Sequence, residues 1–333
     1  MLAFLATVIE QLDLASEHVS KNDAHNARFA LMLTDNAVEL IMHQLATGKA
    51  RELRAYTFMR KEYPHNEAVE KAIGRSFDAK VKFARLDGLL SEQEAFVISK
   101  VHEYRNEVYH IGLQHEVILP ALAAFYYEFI CNVLVKFKPR SFGYWLGMKL
   151  PERAQKYFST DGRTAGKPED FAKACVTLAA KINHKQAATI ETFASHMDQV
   201  IDEIDTCIDI VAGGVYDGQK TTRDGAVIGT QAWPLAFSDK GKAFAKDSKW
   251  AGSSMLDLID WLSANYPFQF KGDPIPSWKN RAEAVRYEKA AAEALIKYNS
   301  FMDETAEIRE ALMESARAVE AEIDNAIDRM RGN

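Results

Sequence analysis

From residue 280 to residue 331 the chain contains neither glycine nor proline. Within that stretch Leu295, Tyr298, Met302, Thr305, Leu312, Ala316, Val319, Ile323, Ala326 and Met330 recur by three and four. Such spacing lines one side of an α-helix, and sustained over several heptads it favours coiled-coil packing. Unbroken, the helix would be roughly 75 Å long at 1.5 Å per residue. A second stripe, Ile190, Phe193, Met197, Val200, Ile204, Cys207 and Val211, follows the same rule. The two segments are expected to form an antiparallel stalk or to pair across a dimer axis. Arg309 falls on the seam, where a kink or a partner carboxylate is expected. The final 31 residues carry nine Asp/Glu and four Arg, which argues against that helix facing RNA.

The first half is helical with shorter periods. One helix is expected over 2–20 (Leu2, Leu5, Ile9, Leu12, Val19 inward), with Asn22-Asp23 as turn or cap. A second runs from about 25 to 47 and ends at Gly48. A basic connector over 49–62, expected to form a short helix, closes at Pro64. A third long helix covers 66–86, and Asp87-Gly88 turns the chain. The next helix starts at the capping box Ser91/Glu94 and stops at Gly112. Pro120 opens another, with Leu122, Phe125, Tyr126, Phe129, Val133 and Phe137 on its apolar face. Short connections favour antiparallel neighbours, so this half reads as an up-and-down bundle of four or five helices. The fold class is therefore mainly all-α.

Within 91–112, Val97, Val101, Tyr104, Val108 and Ile111 form the apolar stripe. At about 100° per residue, Asn106 and His110 project from the opposite face and Arg105 from the flank. A helix surface carries such residues in two ways, as a solvated face or as a working one. Arg105, Asn106 and His110 together form Arg-Asn-x-x-x-His, late in an apolar helix of a helical bundle. That pattern resembles the HEPN family (higher eukaryotes and prokaryotes nucleotide-binding), in which Arg, four to six residues and His recur with a polar residue after the Arg. The resemblance covers about the first 140 residues and implies a helical bundle, metal-independent ribonuclease activity, and dimers that join two motifs into one site. It also implies a toxin or phage-defence role for some members and a non-catalytic binding role for others. Asp35 and Glu39, four apart on the second helix, each offer a carboxylate to orient Arg105 or His110. Glu39 and Tyr109 are the supporting candidates beside the three motif residues. A tyrosine two positions after the histidine, which a partner enzyme modifies in one subgroup, is replaced here by Gly112, so regulation of that kind is not expected.

These residue types suit RNA cleavage by its own 2′-hydroxyl. Histidine titrates near neutrality and serves as acid or base. Arginine stays charged and grips phosphate through a planar fork. Arg105 and His110 diverge by about 140° on one helix, which favours a site completed across a twofold axis. The expected function is a metal-independent endoribonuclease that takes RNA as substrate, acts as a homodimer, uses no cofactor or metal, and answers to a neutralising or regulatory protein. The competing reading is a helical scaffold with a degenerate HEPN domain. A DNA-binding regulator using 213–279 as a winged element is the third and weakest.

Residues 138–168 are punctuated by Pro139, Gly143, Gly147, Pro151, Gly162, Gly166 and Pro168. They divide a bundle at 1–150 from a stalk domain at 169–333, with a linker at 151–168. Inside the stalk, 213–279 is dense in Gly and Pro and holds four of the five tryptophans, Trp233, Trp250, Trp261 and Trp278. It is expected to be a small α+β insertion, with short strands at Ala226–Thr230 and Pro234–Phe237 and a helix at Ser253–Asn265. Interleaved with Lys240, Lys242, Lys246 and Lys249, the tryptophans either anchor a core or stack on single-stranded nucleic acid.

The net charge of −6 argues against a general nucleic-acid coat. Residues 1–150 hold 18 Lys/Arg and 18 Asp/Glu, so the deficit lies in the second half. Residues 49–85 carry ten basic side chains against five acidic ones, an excess that either meets phosphates or coats a helix. Three scattered cysteines, Cys131, Cys175 and Cys207, suggest free buried thiols in a reducing cytoplasm. No Cys/His spacing suggests zinc. No apolar run is long enough for a bilayer, and the apolar start Met1–Ala6 lacks the basic region of a signal peptide.

Overall fold

The computed structural model describes residues 1–56, 63–110, 116–140, 143, 148–159, 166–182 and 184–331; side chains at 107–110 and 217 lie outside that description. Among the described residues the chain is 77 % helical, with 14 α-helices and no strand. Residues 1–192 with 289–295 form one compact unit; 193–288 with 296–333 form another.

In the first unit the helices are α1 (Leu2–Ser20), α2 (Ala24–Ala55), α3 (Asn66–Ala72), α4 (Phe77–Leu86), α5 (Glu92–His110), α6 (Leu119–Leu134), α7 (Glu152–Gln155) and α8 (Asp170–Lys181). The sequence writes their starts. Asp23 accepts a hydrogen bond from the Asn26 amide at 2.8 Å, and Ser91 and Glu94 complete the expected capping box. Helix α2 is the centre, packing against α1, α3, α4, α5 and α6. Its buried positions Leu31, Asp35, Val38, Met42 and Leu45 keep the helical period, and one of them is charged.

Three expectations change here. Helix α2 runs through Gly48 to Ala55. A helical glycine costs only about 1 kcal/mol, and beyond it Leu53 is buried and Glu52 pairs with Arg140. The single helix expected over 66–86 is two, because Ser76 caps α4 by accepting from the Ala79 amide. The linker read at 151–168 falls within the first unit: α7 and α8 pack against α1, and α8 also against α6. Cys131 and Cys175 are buried free thiols, and Cys207 is half-buried.

Helix α9 (Gln186–Gly213) starts in the first unit and continues into the second, which also holds α10 (Arg223–Phe237), α11 (Asp239–Asp247), α12 (Met255–Asn265), α13 (Ile275–Arg286) and most of α14 (Ala291–Arg331). The two expected strands lie inside α10. Its cap at Thr222 and the burial of Ala226, Val227, Thr230, Ala232 and Ala236 fix it as a helix despite Pro234. Helices α10, α11 and α12 share a core of Ala232, Ala236, Ala245, Leu258, Ile259 and Leu262, onto which Trp250 and Trp261 pack. Trp278 is buried against Phe270 and Phe301. Three of the four tryptophans are thus core anchors, and Trp233 is exposed.

The two long heptad segments run parallel, not antiparallel. Phe193 stacks on Tyr298, and His196 and the Tyr298 hydroxyl share a hydrogen bond of 2.8 Å. Farther along, Glu203 acts electrostatically on Arg309, and Arg317 and Glu320 act on Cys207. Parallel neighbours need a long return connection. Helices α10 to α13 supply it, with α13 antiparallel to α9 through Arg286–Asp198 and Lys279–Asp205. The chain reverses between α13 and α14, so the last helix spans 41 residues. That turn lets Trp278 reach Phe301 and Arg281 reach Glu304. Arg309 on the seam returns to its own helix, donating to Thr305 Oγ1 and the Met302 carbonyl.

Candidate functional site

The first unit buries Asp35 completely, on the core face of α2. A carboxylate there is costly unless its oxygens are paired. Oδ2 accepts from His102 Nδ1 at 2.8 Å, from Arg105 Nη2 at 3.0 Å and from Arg105 Nε at 3.2 Å. Oδ1 accepts from the Tyr126 hydroxyl at 3.1 Å. His102, Arg105 and Asn106 stand at i, i+3 and i+4 of α5, so a single helix face delivers all three. Arg105 Nη1 donates to Asn106 Oδ1 at 2.8 Å.

Phe77, the first residue of α4, stacks on the His102 ring with centroids 3.5 Å apart and planes 8° from parallel. The imidazole is therefore held by a carboxylate at one edge and a ring across its face. A carboxylate that takes four donor atoms from three side chains offers only acceptors, so the proton of the short contact sits on Nδ1. With Nδ1 occupied in this way, the lone pair of an uncharged imidazole falls at Nε2. Burial pushes the Tyr126 hydroxyl well above its usual range, and the Asp35 charge and hydrogen bond push it the same way. Tyr126 thus remains a donor. The side chains of His102 and Arg105 are 17 % and 27 % exposed, so a solute can reach them while Asp35 stays dry.

The structure joins Arg105 and Asn106, sets Asp35 of the two candidate carboxylates against Arg105, and adds His102 and Tyr126. Glu39 stands apart: its carboxylate takes Lys80 Nζ at 3.0 Å. His110 and Tyr109 are the last two residues of α5, and their side chains lie outside the described residues. The basic excess over 49–85 is partly neutralised within the fold, by Lys80–Glu39, Lys49–Glu52, Lys71–Glu67 and Arg85–Glu92.

His102 was available to sequence reasoning as the residue one turn before Arg105. Tyr126 was not, because it sits within an apolar helix face and its hydroxyl target lies 91 residues away. Comparison of the chain with models of protein families, with curated proteins and with solved structures finds no match.

Proposed function

We propose that this chain is a metal-independent endoribonuclease of the HEPN type, built on the first unit. The observation that carries the reading is the partly exposed His102 and Arg105 fixed on one buried carboxylate, with Asn106 beside them. An imidazole whose Nδ1 is bound to a carboxylate is oriented as a proton acceptor at Nε2. In this reading Nε2 takes the proton of the RNA 2′-hydroxyl. That oxygen attacks the adjacent phosphorus and the bond to the 5′-oxygen breaks. The leaving oxygen takes a proton from a second imidazole, assigned to His110 by the motif. Arg105 meets the charge that develops on the phosphoryl oxygens. The products are a 2′,3′-cyclic phosphate and a 5′-hydroxyl, so DNA is not a substrate. A homodimer, a neutralising protein partner, a cytoplasmic location and a toxin or phage-defence role follow from the family resemblance alone.

The test is cleavage of RNA in EDTA by the purified chain beside Arg105→Ala, His102→Ala and His110→Ala, each checked for folding. Cleavage leaving cyclic phosphate ends, reduced at least about 100-fold in the Arg105 and His102 variants, is the expected result. Cleavage that survives both substitutions overturns the site. A wild type that neither cleaves RNA nor arrests growth when expressed supports the helical scaffold reading instead.

A further inference from the structure

The second unit contains a cleft of about 490 Å³ between α10, the 266–270 segment and α14. That size lies within the range of about 300–1,000 Å³ usual for small-molecule sites. Leu235, Tyr266, Phe268 and Phe270 give it aromatic and aliphatic walls. Leu235, Tyr266 and Phe268 also pack on the core of α10, α11 and α12, so the walls belong to the folded framework.

Thr230, only 7 % exposed, lines the cleft, and its Oγ1 is buried with no hydrogen-bond partner among the described residues. A helical threonine ordinarily donates to the carbonyl four residues earlier; Thr305, Thr177, Thr192 and Thr206 all do so. Thr230 departs from the pattern. Pro234, one turn later and also lining the cleft, has no N–H to give the Thr230 carbonyl. One turn of α10 therefore presents an unpartnered hydroxyl and a carbonyl relieved of its helical donor. Lys240 also lines the cleft, its Nζ 5.9 Å from the Tyr266 ring centroid; Glu304 and Glu307 line it too, with Glu304 held by Arg281 and the Ser300 hydroxyl.

We propose that this cleft binds a small planar aromatic anion carrying an N–H donor. The ring packs on Tyr266, Phe268 and Phe270, the donor meets Thr230, and the anionic group meets Lys240. The inference is independent of the nuclease reading, because every residue it uses lies in the second unit.

The probe is 8-anilinonaphthalene-1-sulfonate, which has a planar ring system, one N–H and one sulfonate. It is titrated by fluorescence into the full chain. Saturable one-to-one binding is expected. Lys240→Gln, at an exposed position, weakens it at least fivefold; Thr230→Val weakens it about threefold; Ala311→Phe, which fills the cleft, abolishes it. Thermal melts establish that each variant is folded, and Lys240→Gln decides the matter if Ala311→Phe is not. Wild-type affinity in Lys240→Gln, wild-type affinity in a folded Ala311→Phe, or loss of binding on replacing exposed Trp233 with alanine overturns the proposal.

Discussion

Neighbouring helices α1 and α2 each bury an aspartate, and the two are satisfied in different ways. Asp35 is met by one imidazole, one guanidinium and one phenol. Asp13, whose side chain is 3 % exposed, is met by Lys181 at 2.5 Å, Lys156 at 3.1 Å, Arg153 at 3.4 Å and the Tyr157 hydroxyl at 2.5 Å. Around Asp13 the cations ride on α7, α8 and the residues beside them, so this carboxylate fastens those helices to α1. Around Asp35 the imidazole and guanidinium come from a single face of α5. Fixed cations on a carboxylate make a clasp. An oriented imidazole beside a fixed cation makes a place where a proton can move.

Replacing each aspartate with asparagine tests that difference. Asp35→Asn leaves Arg105 buried at one edge without its counter-charge and removes the group that fixes His102. It is expected to cost about 3–5 kcal/mol in urea unfolding and to lower RNA cleavage by about 100-fold or more in the fraction that remains folded. Cleavage at the wild-type rate in a folded Asp35→Asn would reduce the Asp35 array to a second clasp.

Asp13→Asn is expected to touch stability alone. Burial pushes the Asp13 carboxyl up, but hydrogen bonds from Lys181, Tyr157 and Lys156 outweigh it and bring the pKa from an ordinary 3.8 down to about 2. A folded value below the unfolded one stabilises the protein above the unfolded pKa, and the contribution fades as pH falls through about 2. The gap corresponds to about 2 kcal/mol. Unfolding midpoints measured from pH 6 to pH 2 should fall more steeply in wild type than in Asp13→Asn, the two curves converging at the acid end. Cleavage by Asp13→Asn should stay within twofold of wild type, and a large loss would tie the clasp to the chemistry.

Legibility in the sequence tracked how local each signal was. The bundle of the first half, the capping box at Ser91 and the paired stripes of α9 and α14 rest on spacing within one segment, and spacing is visible. Tertiary burial overrode several local signs. Gly48 does not end α2, Pro234 does not break α10, and the chain turns between α13 and α14, with Trp278 packed on Phe301. The expected antiparallel stalk or dimer pairing of α9 and α14 gave way to a parallel pair within the chain, because heptads constrain faces and leave orientation free. At the site, Arg105 and Asn106 were legible as a motif. The choice between Asp35 and Glu39 was not: residues four apart share a helix face, and only the position of α4 decides which carboxylate meets Lys80.

Glu39 sharpens that last point with a smaller effect. Its partner Lys80 has a side chain only 5 % exposed and also donates to the Arg75 carbonyl. Glu39→Gln keeps an acceptor and removes the charge, so a cost of about 1–2 kcal/mol is expected. RNA cleavage should be unchanged when corrected for folded protein. A drop in cleavage comparable with that of Asp35→Asn would place both carboxylates of α2 in one working array.

The smallest effect is expected at Phe77, where the comparison between clasp and working site becomes geometric. Among the described residues, nothing around Asp13 resembles its near-parallel stack on His102. Phe77→Leu preserves an apolar side chain at a buried position and removes the ring, for a stability loss of about 1 kcal/mol. The Asp35 contact still holds Nδ1, so the imidazole keeps its proton arrangement but gains freedom to rotate about that bond. A base whose lone pair wanders loses turnover, not substrate affinity. The expected signature is therefore a three- to tenfold lower kcat with KM unchanged, measured on a short RNA. An unchanged kcat would mean that the Asp35 hydrogen bond alone positions His102 and that the stack serves packing. A raised KM with kcat intact would instead put Phe77 against the substrate, because only a group that touches RNA weakens its binding without slowing the bond-breaking step.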